Sequence, residues 1–179
     1  MVEERVLDLG CGNRKRPGAM GVDHNPESQA DVIHSLDVFP YPFQTARFDT
    51  IIADNVLEHL EDIPRVMEEL HRICRPGGRV KIVAPYFRAP WSFIDPTHKH
   101  HFTVDSFSYF DPAHAHHRLF GYCKARFAVE RVVFNEGIDR GLFYTMVKRF
   151  ANSWPGRYER HLSHLFPLDS VTFYLRALG

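Results

Sequence analysis

The sequence predicts an α/β fold built on a mostly parallel sheet. Short apolar runs of strand length alternate with segments of helical pattern, which is the arrangement of strands joined by crossover connections. The run "RFDTIIAD" (47–54) is apolar almost throughout and ends on Asp54, as is typical of a central strand covered on both faces. With 179 residues, 44% of them hydrophobic, the chain is expected to form a single domain over residues 1–179.

The elements follow in order along the chain. Strands are predicted at residues 5–9, 20–23, 31–34, 47–54, 79–85, 126–134 and 171–178. The clearest helix lies in "DIPRVMEELHRICRPGG", where Asp62 suits the N-cap and Pro64 the first turn. One face of this helix carries an apolar stripe: Ile63, Val66, Met67, Leu70, Ile73 and Cys74. Pro76, Gly77 and Gly78 are expected to end it.

Two stretches depart from this pattern. Residues 86–122 are rich in Pro, His and aromatic residues without a sustained period. Residues 136–170 are mixed, with an amphipathic piece around Tyr158, Leu162 and Leu165. Because long irregular insertions in a compact domain are usually functional loops or lids, both stretches are expected to have a functional role.

The composition excludes several classes of protein. Lys plus Arg equals Asp plus Glu at 22 each, so the net charge gives no support to a nucleic-acid partner. Cys11, Cys74 and Cys123 form no CxxC pair, which indicates free thiols in a reducing compartment. There is no signal-peptide pattern and no run of roughly 18 apolar residues. A cytoplasmic protein without a membrane partner is expected.

The strand ends indicate where a ligand would bind. In open parallel sheets, ligands lie beyond the carboxyl ends of the strands. Four acids fall at or just after predicted strand ends: Asp8, Asp23, Asp37 and Asp54. Gly10 and Gly12 interrupt "VLDLGCGNRKRPG" (6–18), where a side-chain-free bend lets the backbone approach a ligand. The alternative is an ordinary turn with solvated acids. Four acids at consecutive strand ends make this alternative less favoured than a ligand site.

The ligand itself can be narrowed by elimination. A dinucleotide fingerprint would place a glycine where this chain has Lys15, and the GK[ST] of a P-loop is absent. Asp8 directly before the bend suits a cation better than a phosphate. Asp23 can accept from both hydroxyls of a ribose, and Asp37 from an exocyclic adenine amine. A nucleoside that carries an amino acid and a positive sulfonium meets these requirements.

Five segments carry a resemblance to a known family. They are "VLDLGCG", "GVDHNP", Asp37 with "FPYPF", "FDTIIADNVLEHLED" and "LHRICRPGGRVKIVAP", in order over residues 6–85. The chain here resembles the class I S-adenosylmethionine-dependent methyltransferases, especially the small-molecule branch whose fourth motif has the form "NVLEHL". The resemblance implies a Rossmann-like, doubly wound, three-layer α/β/α fold. Its seven-stranded sheet would be mostly parallel, with an antiparallel last strand at 171–178 beside 126–134.

The resemblance also divides the domain and assigns a cofactor site. Residues 1–85 become the cofactor-binding half, and 86–122 and 136–170 the substrate-side insertions. The cofactor is S-adenosylmethionine, with S-adenosylhomocysteine as product. The implied cofactor-binding residues are Asp8, Gly10, Cys11, Gly12, Asn13, Asp23, His24, Asp37, Val38, Asp54 and Asn55. Of these, Asp23 would bind the ribose, Asp37 with the Val38 backbone the adenine edge, and Asp54 with Asn55 would face the methyl. His59 is expected to lie behind them.

Two departures from the family pattern lead to further expectations. The first strand begins almost at residue 1, so helices that usually precede it are missing. A more open site, or one covered by a second subunit in a homodimer, is therefore expected. Between Gly12 and Met20 the chain is too short for a full helix, so "NRKRPGA" is predicted to be a loop or a single turn, in which Arg14 or Lys15 replaces the contacts of that helix.

Histidines are the candidate catalytic residues. Transfer to an alcohol or amine needs a base that removes a proton, and the pKa of histidine suits this role. His98, His100 and His101 in "DPTHKHHFT" follow the fifth strand, with Asp95 as a candidate orienting partner. Alternatively, they hold the loop by bonding to the backbone. The nearby aromatic residues either line a substrate or fill the loop core: Trp91, Phe93, Phe102, Phe107, Tyr109 and Phe110.

The predicted function is methyl transfer from S-adenosylmethionine to an oxygen or nitrogen of a small-molecule acceptor. Methylation of DNA bases is disfavoured, because "DNVL" stands where DNA amino-methyltransferases carry an NPPY-like sequence. RNA and protein substrates stay open, but the balanced charge gives them no support, so a nucleic-acid partner is not expected. No metal site is assigned, although HxHH at 98–101 and 114–117 leaves metal-assisted transfer as an alternative. The other alternative is a non-catalytic partner or sensor that binds the cofactor.

Overall fold

A computed structural model describes residues 4–179 of the chain. Seven strands form one sheet: β1 (Val6–Leu9), β2 (Met20–Asp23), β3 (Val32–Ile33), β4 (Phe48–Asp54), β5 (Cys74–Pro85), β6 (Phe127–Phe134) and β7 (Ser170–Ala177). The helices are α1 (Ile63–Ile73), α2 (Trp91–Ile94), α3 (Ala115–Phe120), α4 (Gly141–Ser153) and α5 (Pro155–His161). Short 3₁₀ helices cover Leu57–His59 and Ser106–Phe110. Each of the seven predicted strands is present.

The strand order is β3-β2-β1-β4-β5-β7-β6. β1 to β5 are parallel, whereas β7 lies antiparallel between β5 and β6. The predicted mostly parallel sheet, with 171–178 antiparallel beside 126–134, is therefore confirmed. The strand order reverses at β1, which pairs with β2 on one side and β4 on the other. Crevices for ligands open at such a switch point.

The connections between the first strands are short. Residues 10–19, 24–31 and 34–47 contain no α-helix, so the loop predicted for "NRKRPGA" is confirmed. A helical crossover between parallel strands needs a dozen or more residues, and two of these connections are shorter than that. Within the β1–β5 part only α1, between β4 and β5, is an α-helix. The family resemblance implies helices on both faces of the sheet, but the connections that follow β1 and β2 contain no α-helix.

Helix α1 forms for the reasons that the sequence gives. Asp62 Oδ1 accepts a hydrogen bond of 3.0 Å from the Arg65 N–H at the N-cap, and Pro64 occupies the first turn. The predicted stripe faces the core, with Val66, Met67, Leu70 and Ile73 all fully buried. The chain then enters β5 at Cys74, earlier than the predicted 79. Cys74 pairs with Phe48 before a register shift leads to the regular pairing from Arg79 onward.

The substitution Asp62→Ala is expected to lower the free energy of unfolding by about 1 kcal/mol, because an N–H of the first turn loses its acceptor. Urea titration followed by circular dichroism measures this change. Glu61→Ala is the control, since its exposed carboxylate pairs only with Lys99 and its effect is expected to stay within about 0.5 kcal/mol. Equal losses in the two variants would contradict the assigned cap.

The two irregular stretches contain more helix than the sequence indicates. Residues 86–122 hold α2 and α3, and residues 136–170 hold α4 as well as α5, which lies where the amphipathic piece was expected. α4 escapes sequence analysis because apolar residues lie on both of its faces. Tyr144, Val147 and Ala151 pack on the core, whereas Leu142, Phe143 and Met146 are exposed, so the helical period is hidden. None of the helices in residues 4–179 has the length and apolarity that a bilayer crossing requires.

The aromatic residues of 86–122 divide between two environments. Phe102, Phe107 and Phe110 are buried, and the Phe107 ring lies edge-on to Phe173 of β7 with the centroids 4.6 Å apart. These three residues fill the core beneath the loop, as one of the two interpretations of the sequence expects. Trp91 and Phe93 are exposed instead.

Candidate functional site

The bend after β1 requires glycine. Gly10 and Gly12 have φ of +64° and +50°, in the left-handed region that L-residues avoid. The N–H groups of Gly10 and Cys11 both donate to the Val22 carbonyl, at 2.8 and 3.2 Å. A Cβ on Gly10 would lie 2.6 Å from Val56 Cγ2, closer than carbon atoms can approach. The conformation and the packing of this bend therefore both depend on Gly10.

Asp23, the last residue of β2, holds the bend from the other side. Its carboxylate is almost fully buried: Oδ2 accepts from the Gly12 N–H at 2.8 Å, and Oδ1 accepts from the Asn25 N–H at 2.9 Å. Each oxygen of an ionised carboxylate has room for a further donor. Asp23 can therefore fix the loop and still accept from ligand hydroxyls.

A cavity of about 520 Å³ opens beside this bend, past the carboxyl ends of β1, β2 and β4. Its lining residues are Gly10, Asp23, His24, Ser35, Leu36, Asp37, Asn55, Val56, His59, Leu60 and Thr97. Five of these belong to the cofactor-binding set predicted from the sequence: Gly10, Asp23, His24, Asp37 and Asn55. His59, expected behind the site, lines the cavity directly.

Sequence analysis missed the other lining residues. Val56 and Leu60 belong to the "NVLEHL" segment, and Ser35 and Leu36 precede Asp37, so their places in the motifs were available as a signal. No local pattern in the sequence marks Thr97, because only folding brings the loop after β5 to the cavity.

Two lining residues follow β3 and β4. Asp37 Oδ1 accepts from the Glu61 N–H at 2.8 Å, so this carboxylate is anchored to the segment before α1. Asn55 follows β4 with φ of +53° and donates from Nδ2 to Asp54 Oδ1 at 2.9 Å. Left-handed backbone at a residue other than glycine is uncommon and concentrates at functional sites.

Asp8 and Asp54 do not line the cavity; they lie on either side of Arg16. The Arg16 N–H donates to Asp8 Oδ2 at 2.8 Å, and its guanidinium lies 2.7 Å from Asp54 Oδ2 and 3.6 Å from Asp8 Oδ1. Burial raises the pKa of Asp8, while the N–H and charge of Arg16 oppose that shift. The four strand-end acids thus divide into two groups. Asp23 and Asp37 line the cavity, whereas Asp8 and Asp54 bind Arg16.

Arg16 is thus the side chain of this loop that bridges Asp8 and Asp54. Lys15 Nζ instead binds Asp31 Oδ1 at 2.7 Å.

The remaining members of the predicted cofactor set lie outside the cavity lining. Gly12 acts through its N–H on Asp23. Cys11 is buried, and this burial raises the pKa of its thiol, which agrees with a packed residue rather than a nucleophile. Asn13 is exposed, and Val38 is 56% exposed with its carbonyl bound to His34 Nε2. The Val38 carbonyl keeps a second lone pair for a further donor.

None of the three candidate catalytic histidines lines the cavity, although His98 lies next to a residue that does. The His98 ring meets the His59 ring edge-on, with the centroids 4.7 Å apart. His101 bonds through Nδ1 to Ser92 Oγ at 2.7 Å and stacks on Phe93. His100 Nε2 is buried without a hydrogen-bond partner.

Asp95 orients Thr97 instead of a histidine. Its Oδ1 accepts from the Thr97 N–H at 2.8 Å and from Thr97 Oγ1 at 2.6 Å. Thr97 Oγ1 lies 2.9 Å from His59 Nδ1, so Asp95 acts on His59 through the threonine. The direct pairing with the 98–101 histidines expected from the sequence is wrong, because the Asx turn at 95–97 engages the carboxylate first.

Glu58 is a further unusual group beside the cavity, which sequence analysis did not single out. It is fully buried in the Leu57–His59 turn, and neither carboxylate oxygen has a hydrogen-bond partner among residues 4–179. Burial raises the pKa of Glu58 to about 7, and the nearby charges of Asp54 and Asp95 act in the same direction. Burial, together with the neighbouring His98, lowers the pKa of His59.

The second histidine cluster has a structural role. His116 Nδ1 bonds to Ser108 Oγ at 2.8 Å, and His117 Nδ1 bonds to the Tyr109 carbonyl at 2.9 Å. These contacts tie α3 to the Ser106–Phe110 turn. The HxHH pattern at 114–117 therefore holds the loop.

Comparison with known proteins gives one family and several relatives. Residues 7–82 match the family model described as a methyltransferase domain. The chain is 33% identical over 92 residues to a malonyl-[acyl-carrier protein] O-methyltransferase of Erwinia pyrifoliae, covering 42% of this chain and 35% of that protein. It is 30% identical over 103 residues to a 2-phytyl-1,4-naphtoquinone methyltransferase of Nostoc punctiforme, covering 44% and 45%. The match thus spans less than half of either relative.

The fold comparison extends over nearly the whole chain. A solved S-adenosylmethionine-dependent methyltransferase of Mesorhizobium loti superposes with a TM-score of 0.59 at 17% identity, covering 97% of this chain and 90% of that one. At this identity the likeness concerns the fold. The chain therefore shares the fold of that S-adenosylmethionine-dependent methyltransferase, and its residues 7–82 match the family model of the methyltransferase domain.

Proposed function

We propose that the chain is a methyltransferase that moves a methyl group from S-adenosylmethionine to an oxygen or nitrogen of a small-molecule acceptor. The observation that carries this proposal is the cavity at the ends of β1, β2 and β4, where Gly10, Asp23, Asp37 and Asn55 meet. These are the positions at which the family resemblance expects the cofactor.

The residues present fit this cofactor. Gly10 lines the cavity and has no side chain, so a ligand there meets its backbone. An added Cβ would clash with Val56. Asp23 and Asp37 offer carboxylate oxygens for ribose hydroxyls and an adenine amine. When bound, S-adenosylmethionine supplies a methyl group activated by a positively charged sulfur.

The acceptor would enter beside His59 and Thr97. Methyl transfer needs an acceptor held in line and, for an alcohol or amine, a base that removes its proton. His98 is the first candidate for that base because it contacts His59 on the cavity lining, and His100 and His101 follow it. The names of the two curated relatives, an O-methyltransferase and a quinone methyltransferase, support a small or carrier-bound acceptor.

Titration calorimetry combined with a methyl-release screen tests the proposal. We expect one S-adenosylhomocysteine to bind per chain, and turnover with at least one class among phenols, amines, sugars and carboxylates. His98→Ala is expected to lower kcat by at least about 100-fold, as loss of a general base does, while leaving the Kd of S-adenosylhomocysteine within about twofold. His164→Ala, an exposed histidine outside the cavity lining, is the matched control and is expected to leave kcat within about twofold.

The outcomes separate the alternatives. Binding without turnover over the whole screen would favour the non-catalytic partner or sensor. Turnover that is unaffected in the His98→Ala, His100→Ala and His101→Ala variants would eliminate the proposed base. Absence of any binding of S-adenosylmethionine or S-adenosylhomocysteine at saturating concentration would contradict both functions.

The proposal also covers the domain, its compartment, the class of acceptor and the oligomeric state. Residues 1–179 act as one methyltransferase domain in the cytoplasm, which is supported by the free thiols Cys11, Cys74 and Cys123. The acceptor is a small molecule rather than a nucleic acid or a membrane component, in keeping with the balanced charge. Exposed apolar side chains on α4, among them Leu142 and Met146, support a homodimer, and a solution mass of one chain would remove that part.

A further inference from the structure

We propose that Glu58, His59 and His98 bind a divalent transition-metal ion at the edge of the cavity. One ligand atom from each of these side chains lies within 4.8 Å of the other two. Glu58 and His59 come from the turn after β4, and His98 comes from the loop after β5. The site is thus assembled by folding from two segments.

The tautomer of His59 follows from its hydrogen bonds. Thr97 Oγ1 donates its single proton to Asp95 Oδ1, 2.6 Å away. It can therefore only accept from His59 Nδ1, at 2.9 Å, so Nδ1 carries the proton. In the neutral ring Nε2 then presents a lone pair. A carboxylate that fixes a histidine in this way, here through a threonine, is the outer-shell arrangement usual around metal-binding histidines.

His98 is held in the same tautomer. Its Nδ1 lies 3.2 Å from the Ser92 carbonyl, which has no proton to give, so Nδ1 donates. The Nε2 of the neutral ring therefore also carries a lone pair. A backbone carbonyl that accepts from the distal nitrogen is a second common support for a metal-binding histidine.

The buried carboxylate of Glu58 favours a bound cation at this site. The side chain is fully buried, and within the part of the chain that the structure describes both of its oxygens lack a hydrogen-bond donor. A protonated carboxyl would still have an unused O–H and an unpaired carbonyl, so protonation does not satisfy the group. A metal ion satisfies the carboxylate and the two Nε2 lone pairs together.

The donor set indicates the class of ion. Two imidazole nitrogens and one carboxylate oxygen suit Zn²⁺ and related ions, whereas Mg²⁺ and Ca²⁺ prefer oxygen ligands alone. Ligand atoms about 2.0–2.2 Å from a tetrahedral ion are about 3.4 Å apart, so the side chains must close by at most about 1.4 Å. His59 and His98 are partly exposed, which leaves their rings room to adjust.

The position of the metal site beside the cavity indicates a role for the ion in methyl transfer. This role rests on the proposed function. His59 lines the cavity, so a coordination position left open by three protein ligands would face the acceptor. Such a position can hold an acceptor hydroxyl and lower its pKa. With its lone pair on the ion, His98 would support turnover as a metal ligand in place of acting as the base itself. Metal binding itself does not depend on methyl transfer.

Titration of the EDTA-treated full chain with Co²⁺ and Zn²⁺ tests the site. We expect one ion per chain by calorimetry and a Co²⁺ absorption band in the visible range. Glu58→Gln, His59→Ala and His98→Ala are each expected to raise the Kd for Zn²⁺ by at least about 100-fold. Thr97→Val, which leaves all three ligands in place, is expected to raise it about 10–100-fold. His164→Ala, an exposed histidine elsewhere, is the control and is expected to bind as the parent does.

Several results would overturn the proposal. They are no stoichiometric binding by the parent chain, unchanged binding in the His59→Ala and His98→Ala variants, or an equal loss in His164→Ala. If Glu58→Gln fails to fold by circular dichroism, the two histidine variants decide. S-adenosylhomocysteine is titrated separately, so that a chain that binds metal without binding the nucleoside removes the proposed function but keeps the metal site.

Discussion

Replacing Gly10 with alanine is expected to lower the free energy of unfolding by about 2–5 kcal/mol and to abolish binding of S-adenosylhomocysteine. The left-handed backbone at φ of +64° costs an L-residue about 1–2 kcal/mol. The new Cβ would lie 2.6 Å from Val56 Cγ2, and overpacking of this kind costs about 1–3 kcal/mol more. Chemical denaturation and calorimetry measure the two effects.

Gly12→Ala is the matched control for Gly10→Ala. Its φ of +50° imposes a similar backbone strain, but no atom lies within 4 Å of the added Cβ. A loss of only about 1–2 kcal/mol is therefore expected. Adding Val56→Ala to Gly10→Ala should recover the packing part of the loss. A Gly10→Ala chain as stable as the Gly12→Ala chain would contradict the close approach between the bend and Val56.

Replacing Asp23 with asparagine is expected to raise the Kd of S-adenosylhomocysteine by about 10–100-fold, since hydrogen bonds to a charged group contribute about 1.5–3 kcal/mol. The asparagine side chain would keep the shape of Asp23 but place an amide N–H₂ where an oxygen now accepts. Either the Gly12 or the Asn25 N–H then loses its acceptor, and the bend loosens. Calorimetry at a temperature where the variant is folded gives the affinity.

Glu130→Gln is the control for Asp23→Asn. This carboxylate lies on β6 and pairs with Arg176, away from the cavity lining. It is expected to leave the Kd within about twofold, because an exposed ion pair contributes little. Unchanged affinity in Asp23→Asn would show that the carboxylate does not hold the ligand and would remove the central residue of the proposed site.

The predicted elements divide by the kind of signal that supports them. β4 and α1 could be assigned because each carries a complete local pattern, an apolar run in one and a capped, striped helix in the other. α4 could not, because apolar side chains occupy its exposed face as well as the face of Tyr144, Val147 and Ala151 that packs on the core. The start of β5 at Cys74 depends on pairing with Phe48, which lies outside the local sequence.

The candidate site divides in the same way. The sequence by itself determined the sheet, the bend at Gly10 and the placing of Asp23, Asp37 and Asn55 near one another, because the ends of neighbouring parallel strands meet at one edge. Only the tertiary structure decided that Arg16 lies between Asp8 and Asp54, and that Glu58 and His59 meet His98 from a distant loop. Such contacts depend on how loops pack in three dimensions, and no local period or spacing in the chain records them.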